Sequence, residues 1–135
     1  MDRVFLDANV LFSAAYLESS RLVRLWELED TELLSSPYAV EEARRNFIRS
    51  GPEALGRLER LTIDLILVNP SRDLKLSAAI RLDSKDRPIL LAAIHGDADF
   101  LLTGDARHFG HLYGRRVEGV TVLRLAQYFE RRALR

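Results

Sequence analysis

Val4-Phe5-Leu6-Asp7-Ala8-Asn9-Val10-Leu11 and, far along the chain, Phe100-Leu101-Leu102-Thr103-Gly104-Asp105 share one pattern: a short apolar run that stops at an aspartate. Runs this brief, ended by a polar residue, read as buried strands rather than helices. Further runs of the same kind fall at residues 33–34, 63–68 and 120–123, and helical patterns separate them. Strand alternating with helix predicts right-handed crossovers and a parallel sheet with helices on both faces.

The helix signals between the strands are specific. Ser36-Pro37 supplies an N-cap and a first-turn proline for a helix over residues 38–49, and Gly51-Pro52 ends it and starts another. Asp86 caps a helix over 87–95, with Pro88 in its first turn and Gly96 as its stop. A last helix over 124–132 buries Leu125, Tyr128 and Phe129 on one face. No repeat or long linker interrupts this order, so residues 1–135 read as one domain.

Composition excludes several classes. With 135 residues, 47% of them hydrophobic, the chain is long enough for a core of its own. It has no cysteine, which removes disulfides, thiolate zinc sites, iron–sulfur clusters and cysteine nucleophiles together. The N-terminus lacks the long apolar region of a signal peptide, and no window approaches the ~18 uninterrupted apolar residues of a membrane span, so a cytoplasmic location is expected. The net charge is zero, yet it is distributed unevenly: residues 1–35 hold three basic and seven acidic side chains, and residues 106–135 hold seven basic and two acidic ones. The C-terminal stretch is therefore the expected nucleic-acid-facing charge.

Carboxylates carry the chemistry. In an open parallel sheet ligands bind beyond the carboxyl ends of the strands, where Asp7 and Asp105 fall. Asp86 opens the helix that leads into the second of these strands, and Glu42, or its neighbour Glu41, rises from the helix after the second strand. Taken singly, each aspartate is also a good N-cap. Taken together they need a counter-ion, because two carboxylates about 4 Å apart repel by roughly 4 kcal/mol at an effective dielectric of 20. Oxygen donors without cysteine select hard ions, Mg²⁺ or Mn²⁺. On this reading Asp105→Asn relieves repulsion and raises the metal-free melting temperature. His108 and His111, at i and i+3, lack a third nitrogen or sulfur ligand nearby and read as structural, closing the turn after Asp105. Trp26, at helical spacing from Leu22 and Val23, reads as core or a dimer face.

In these residues the chain resembles the PIN-domain nucleases, in particular the small VapC-type toxins. The resemblance rests on Asp7-Ala8-Asn9-Val10-Leu11, Ser36 through Glu41-Glu42, Asp86-Arg87-Pro88-Ile89-Leu90 and Thr103-Gly104-Asp105, in that order along nearly the whole chain. It implies an α/β/α sandwich with a five-stranded parallel sheet and an acidic pocket that binds one or two Mg²⁺ or Mn²⁺ ions and cleaves RNA. Asp7, Glu42, Asp86 and Asp105 match the family's acidic quartet, with Asp7, Asp86 and Asp105 as metal ligands, and Asn9 and Thr103 match polar positions beside it. One position departs: where many relatives carry another acid two residues beyond the fourth-strand aspartate, this chain has Arg107, which puts a second metal in doubt. Asp83 is a substitute ligand or a solvent-exposed loop acid.

The expected activity is thus metal-dependent hydrolysis of RNA, with Glu42 or Asp86 orienting or deprotonating the attacking water. Lys85, Arg87, Arg107 and Arg45 are expected to meet RNA phosphates. The resemblance further implies a toxin with a cognate antitoxin, and a homodimer. The rival reading is a PIN-fold module that binds RNA or protein without cleaving it. A receiver-type signalling domain is disfavoured, because Asn69-Pro70 and Arg124-Leu125 stand where its phosphoacceptor aspartate and its lysine belong.

Overall fold

The computed structural model describes residues 1–134. Strands β1 (Asp2–Leu6), β2 (Thr31–Ser35), β3 (Ile66–Leu67), β4 (Phe100–Leu102), β5 (Arg116–Val117) and β6 (Val120–Leu123) form one sheet in the order β3-β2-β1-β4-β6-β5. All neighbours are parallel except β5 and β6. The helices that flank it are α1 (Ala8–Tyr16), α2 (Arg24–Glu27), α3 (Pro37–Ser50), α4 (Leu55–Ile63), α5 (Arg87–His95), α6 (Ala106–Phe109) and α7 (Leu125–Ala133). No helix among the described residues is long and apolar enough to cross a membrane.

Two strand expectations need correction. The sheet has six strands rather than five, and the third is much shorter than residues 63–68. Helix α4 carries on through Ile63, which is 78% exposed, before a turn closed by Leu65 N–H to Thr62 O at 3.1 Å. Leu55, Leu58 and Leu61 pack on the core at helical spacing, so the helix wins the start of the apolar run. The additional strand β5 turns back on β6 through Glu118 (φ 52°) and Gly119 (φ 88°), pairing Val117 with Val120. Two successive positive φ values make the tight hairpin turn whose twist suits the sheet. A glutamate at the first of them hides the signal, since asparagine or aspartate is the usual occupant.

The central strands are buried on both faces, as parallel strands must be when helices cover them. The chain reverses its direction of strand addition between β1 and β4: β2 and β3 lie on one side, β6 and β5 on the other. That switch point opens a crevice at the carboxyl ends of β1 and β4. Backbone bonds fix its floor, with Asp7 N–H donating to Leu102 O at 3.1 Å and Thr103 N–H to Leu123 O at 3.1 Å.

Candidate active site

The crevice gathers one side chain from each of several elements. Asp7 follows β1 and is 4% exposed. Its Oδ1 accepts Ala8 N–H at 2.7 Å, and its Oδ2 accepts the Thr103 hydroxyl at 2.8 Å and the Asn9 amide at 3.2 Å. Thr103 spends its one donor on Asp7 and accepts from Asp105 N–H at 3.1 Å. Asn9 also reaches across to Gly104, whose N–H donates to Asn9 Oδ1 at 2.7 Å. A Cβ at Gly104 would stand 3.3 Å from that same oxygen, a tight contact to which the Asn9 side chain would have to yield.

Helix α3 supplies the wall. Ser36 Oγ caps it by accepting Ala39 N–H at 3.1 Å, Pro37 opens its first turn, and Ala39, Ala43 and Phe47 bury one stripe. The neighbouring stripe places Glu42, and Asn46 one turn on, in the crevice with Asp7, Lys85, Asp86 and Asp105. Glu41 is exposed and stands 4.0 Å from Arg44, so Glu42 is the inward glutamate. Asn46 joins the predicted acids as a further crevice residue, and its i+4 spacing from Glu42 is the signal for it in the sequence. Tyr38 donates to Lys85 O at 2.7 Å and ties this helix to the segment before α5.

Asp86 does not cap α5. Its backbone is already helical, its side chain makes no capping bond, and its buried Oδ2 has no hydrogen-bond partner. An orphaned carboxylate oxygen is costly, which argues that the carboxylate is placed for something other than the helix. Asp105 does cap, with Oδ1 accepting His108 N–H at 3.2 Å, while its Oδ2 lies 2.7 Å from His108 Nδ1. His108 therefore stands among the acids rather than merely closing the turn. Its Nδ1 is also 3.3 Å from Asp86 Oδ2, and its Nε2 is 3.3 Å from Asp83 Oδ2.

The basic residues divide. Lys85 is exposed at the crevice, and Arg45 lines an adjoining groove with Glu42, Asn46, Ile48 and Arg49. Arg107 is exposed beside His108 and Asp83, in a separate depression with Arg81 and His111. Arg87 is engaged by its own chain: its guanidinium donates to Leu76 O and Ile80 O at 3.0 Å and to Ser77 O at 3.3 Å, pinning the long loop before α5. Part of the C-terminal basic stretch turns away from the crevice. Arg132 bonds Thr31 Oγ1 at 3.2 Å and lies 3.4 Å from Asp2, and Arg131 covers the Phe100 ring, all at the amino ends of the strands. Trp26 is half-buried against the core, its indole donating to Leu61 O at 2.8 Å.

Burial pushes the Asp7 carboxyl up from 3.8 to about 6; the bonds from Thr103 and Ala8 oppose this, and Glu42 and Asp86 add to it. Burial, the leading cause, also raises Asp86, with His108 opposing and Asp105 adding. The charge on Asp7 is thus opposed first by burial and only then by Glu42 and Asp86, whereas Asp105 has His108 as a partner. Between pH 4 and 6 folded metal-free protein keeps an Asp7 proton that the unfolded chain has released, so stability falls as pH rises through that window. The cost, fully present above about pH 6, is on the order of 3 kcal/mol. Urea unfolding at pH 4.5 and 7.5 is expected to show Asp7→Asn gaining on the wild type only at the higher pH; an equal difference at both would refute the strain.

The donor set fits a divalent cation: carboxylates of Asp7, Glu42, Asp86 and Asp105 share one crevice, one of them has an orphaned oxygen, and no cysteine is present.

A sequence model described as the PIN domain matches residues 3–107. Among solved structures, the chain is similar to one in the crystal structure of VapBC2 from Rickettsia felis bound to a DNA fragment from their promoter, with TM-score 0.64 and 14% identity over 90% of this chain and 98% of that one. It is also similar to one in the structure of VapBC-1 from nontypeable Haemophilus influenzae, with TM-score 0.59 and 18% identity over 90% and 97% of the two chains. At these identities the likeness is one of fold. A search of curated proteins finds no match.

Proposed function

The chain belongs to the PIN domain family, and from that premise we propose that it is a metal-dependent endoribonuclease, the toxin of a toxin–antitoxin pair. The observation that carries the reading is the buried, unpartnered Oδ2 of Asp86 in a crevice shared with Asp7, Glu42 and Asp105. The likeness to chains from two VapBC structures supports the toxin assignment and an antitoxin partner. The proposal includes one domain over residues 1–135, a homodimer and a cytoplasmic location.

Asp7, Asp86 and Asp105, with Glu42 directly or through water, would hold one or two Mg²⁺ or Mn²⁺ ions. When bound, such an ion supplies charge neutralisation at the scissile phosphate and lowers the pKa of water. The protein's own share is positioning. Thr103 and Asn9 fix the orientation of the Asp7 carboxylate, and Lys85 and Arg45 draw the phosphate backbone toward an otherwise acidic site. Glu42 or Asp86 accepts a proton from the attacking water as its oxygen bonds to phosphorus. The P–O3′ bond breaks, the 3′ oxygen takes up a proton, and a 5′-phosphate and a 3′-hydroxyl result.

The test is cleavage of single-stranded and structured RNA with Mn²⁺ or Mg²⁺, with EDTA as control. Cleavage that EDTA and Asp7→Asn both abolish supports the proposal; cleavage indifferent to both refutes it. Binding without cleavage in the presence of metal identifies the non-catalytic module, the reading that Arg107 favours by standing where many relatives have an acid.

The divided arginines predict divided phenotypes. Arg45→Ala and Lys85→Ala are each expected to lower RNA affinity and to flatten its log–log salt dependence by roughly 0.7. Arg87→Ala is instead expected to cost about 1–3 kcal/mol of stability, because its bonds go to loop carbonyls. Salt-titrated binding of an oligonucleotide, alongside urea unfolding, separates the two kinds. A flattened salt slope in Arg87→Ala with unchanged stability would reverse the assignment.

A further inference from the structure

We propose that Asp83, Asp86 and His108 form a second cation site, which shares Asp86 with the oxygen-only site at Asp7 but adds a nitrogen donor, and which takes a divalent transition ion such as Mn²⁺ in preference to Mg²⁺. The inference concerns metal binding alone and does not require RNA as the substrate. Each of the three residues offers a ligand atom within 4.8 Å of the other two.

Two observations lead to an ion rather than to a chance gathering of acids. The first is the imidazole's orientation. Asp105 Oδ2, 2.7 Å from Nδ1, fixes that nitrogen as the donor, so in neutral imidazole Nε2 carries a lone pair. That lone pair faces Asp83 Oδ2 at 3.3 Å, an acceptor against an acceptor. A carboxylate that holds the far nitrogen of a histidine while the near one binds metal is the usual arrangement of a histidine ligand.

The second observation is Asp86 Oδ2. The residue is 9% exposed, and this oxygen is buried with no hydrogen-bond partner. His108 Nδ1 lies 3.3 Å away, but its single hydrogen is committed to the closer Asp105 oxygen. A doubly protonated imidazole would answer Asp83 and still leave Asp86 Oδ2 without a donor. A cation shared by the imidazole and the two carboxylates, whose ligand atoms all lie within 4.8 Å of one another, answers both.

The position also makes sense of Arg107. A chain lacking the acid expected there has, one residue later, a nitrogen donor that α6 turns toward Asp83 and Asp86. Imidazole beside two carboxylates shifts preference from Mg²⁺ toward transition ions. Asp105, which also faces the Asp7 crevice, positions His108 as well, its Oδ1 accepting the backbone N–H and its Oδ2 holding the ring.

The experiment is pulsed EPR of Mn²⁺ bound to the full chain, reading the hyperfine coupling of a directly ligated ¹⁴N. Expected is a nitrogen coupling in the wild type that persists in Asp7→Asn and His111→Gln and disappears in His108→Gln. Asp105→Asn, which frees the imidazole, is expected to weaken binding of the nitrogen-coupled ion about 10–100-fold. Mn²⁺ bound through oxygen alone in the wild type overturns this inference and leaves the proposed function standing. No Mn²⁺ binding at all overturns both. The wild-type spectrum decides the matter even if a variant fails to fold.

Discussion

Asp7→Asn is expected to lower metal-dependent RNA cleavage by about 10³-fold or more while raising the melting temperature of the metal-free protein. The two effects share one cause. Asp7 is buried at the crevice floor, and its carboxyl is raised to about 6, chiefly by burial. At neutral pH the folded protein therefore holds a charge that desolvation, Glu42 and Asp86 all oppose. A bound cation is what makes that charge favourable, and loss of several kcal/mol of charge stabilisation in the transition state corresponds to the stated fall in rate. Asparagine keeps an oxygen for Ala8 N–H or Thr103, but its amide hydrogens confront donors on the other side. The net gain is accordingly below the full linkage figure, about 1–2 kcal/mol, or roughly 4–8 °C in melting temperature. Cleavage assays and thermal melts at pH 7.5 with EDTA check the pair. A variant that is both inactive and destabilised without metal would mean that Asp7 serves the fold rather than an ion.

The largest expected loss of stability lies behind the opposite wall. Phe47 is fully buried on α3, and its ring stacks on Phe12 of α1 at 4.2 Å between centroids with 18° between planes. Phe47→Ala removes that contact and leaves a cavity between two helices that both frame the crevice, at a cost of roughly 3–5 kcal/mol. Against a typical total of about 5–15 kcal/mol this is a large fraction, and the melting temperature is expected to fall by roughly 10–20 °C. Because α3 also carries Glu42 and Asn46, Mn²⁺ affinity measured below the melting range is expected to weaken as well. A loss below about 1.5 kcal/mol would show that the wall collapses onto the gap.

The acids were legible in the chain because the signals that place them are local. Asp7 and Asp105 end apolar runs, and Ser36-Pro37 fixes the start of the helix that carries Glu41 and Glu42. Asp86 was legible in position but not in role. A cap and an orphaned carboxylate occupy the same place in the sequence, and only the backbone conformation at that residue separates them. The sequence signals only the turn that the His108 backbone closes by donating to Asp105 Oδ1. The side chain's three acidic neighbours come from two segments that the fold brings together.

The basic residues show the same limit most clearly. Lys85, Arg45, Arg87 and the C-terminal arginines are alike as exposed cations in a sequence. The fold leaves the first two at the crevice and its adjoining groove, commits the third to loop carbonyls, and turns Arg131 and Arg132 to the far end of the sheet. Charge clustering in the last thirty residues is therefore not a guide to one surface: Arg131 and Arg132 lie at the amino ends of the strands, whereas Arg107 lies beside His108 and Asp83.

From the sequence alone came the alternation of strand and helix, the family resemblance and the four acids, because strand length, caps and helical phase are written within a few residues of one another. Tertiary structure alone decided which glutamate faces inward, that Asp86 Oδ2 is unpartnered, that His108 joins the acids, and which cations line the crevice and its adjoining groove. Those outcomes depend on packing between distant segments, such as Arg132 against Asp2 across nearly the whole chain, and burial and charge pairing are properties of the assembled fold.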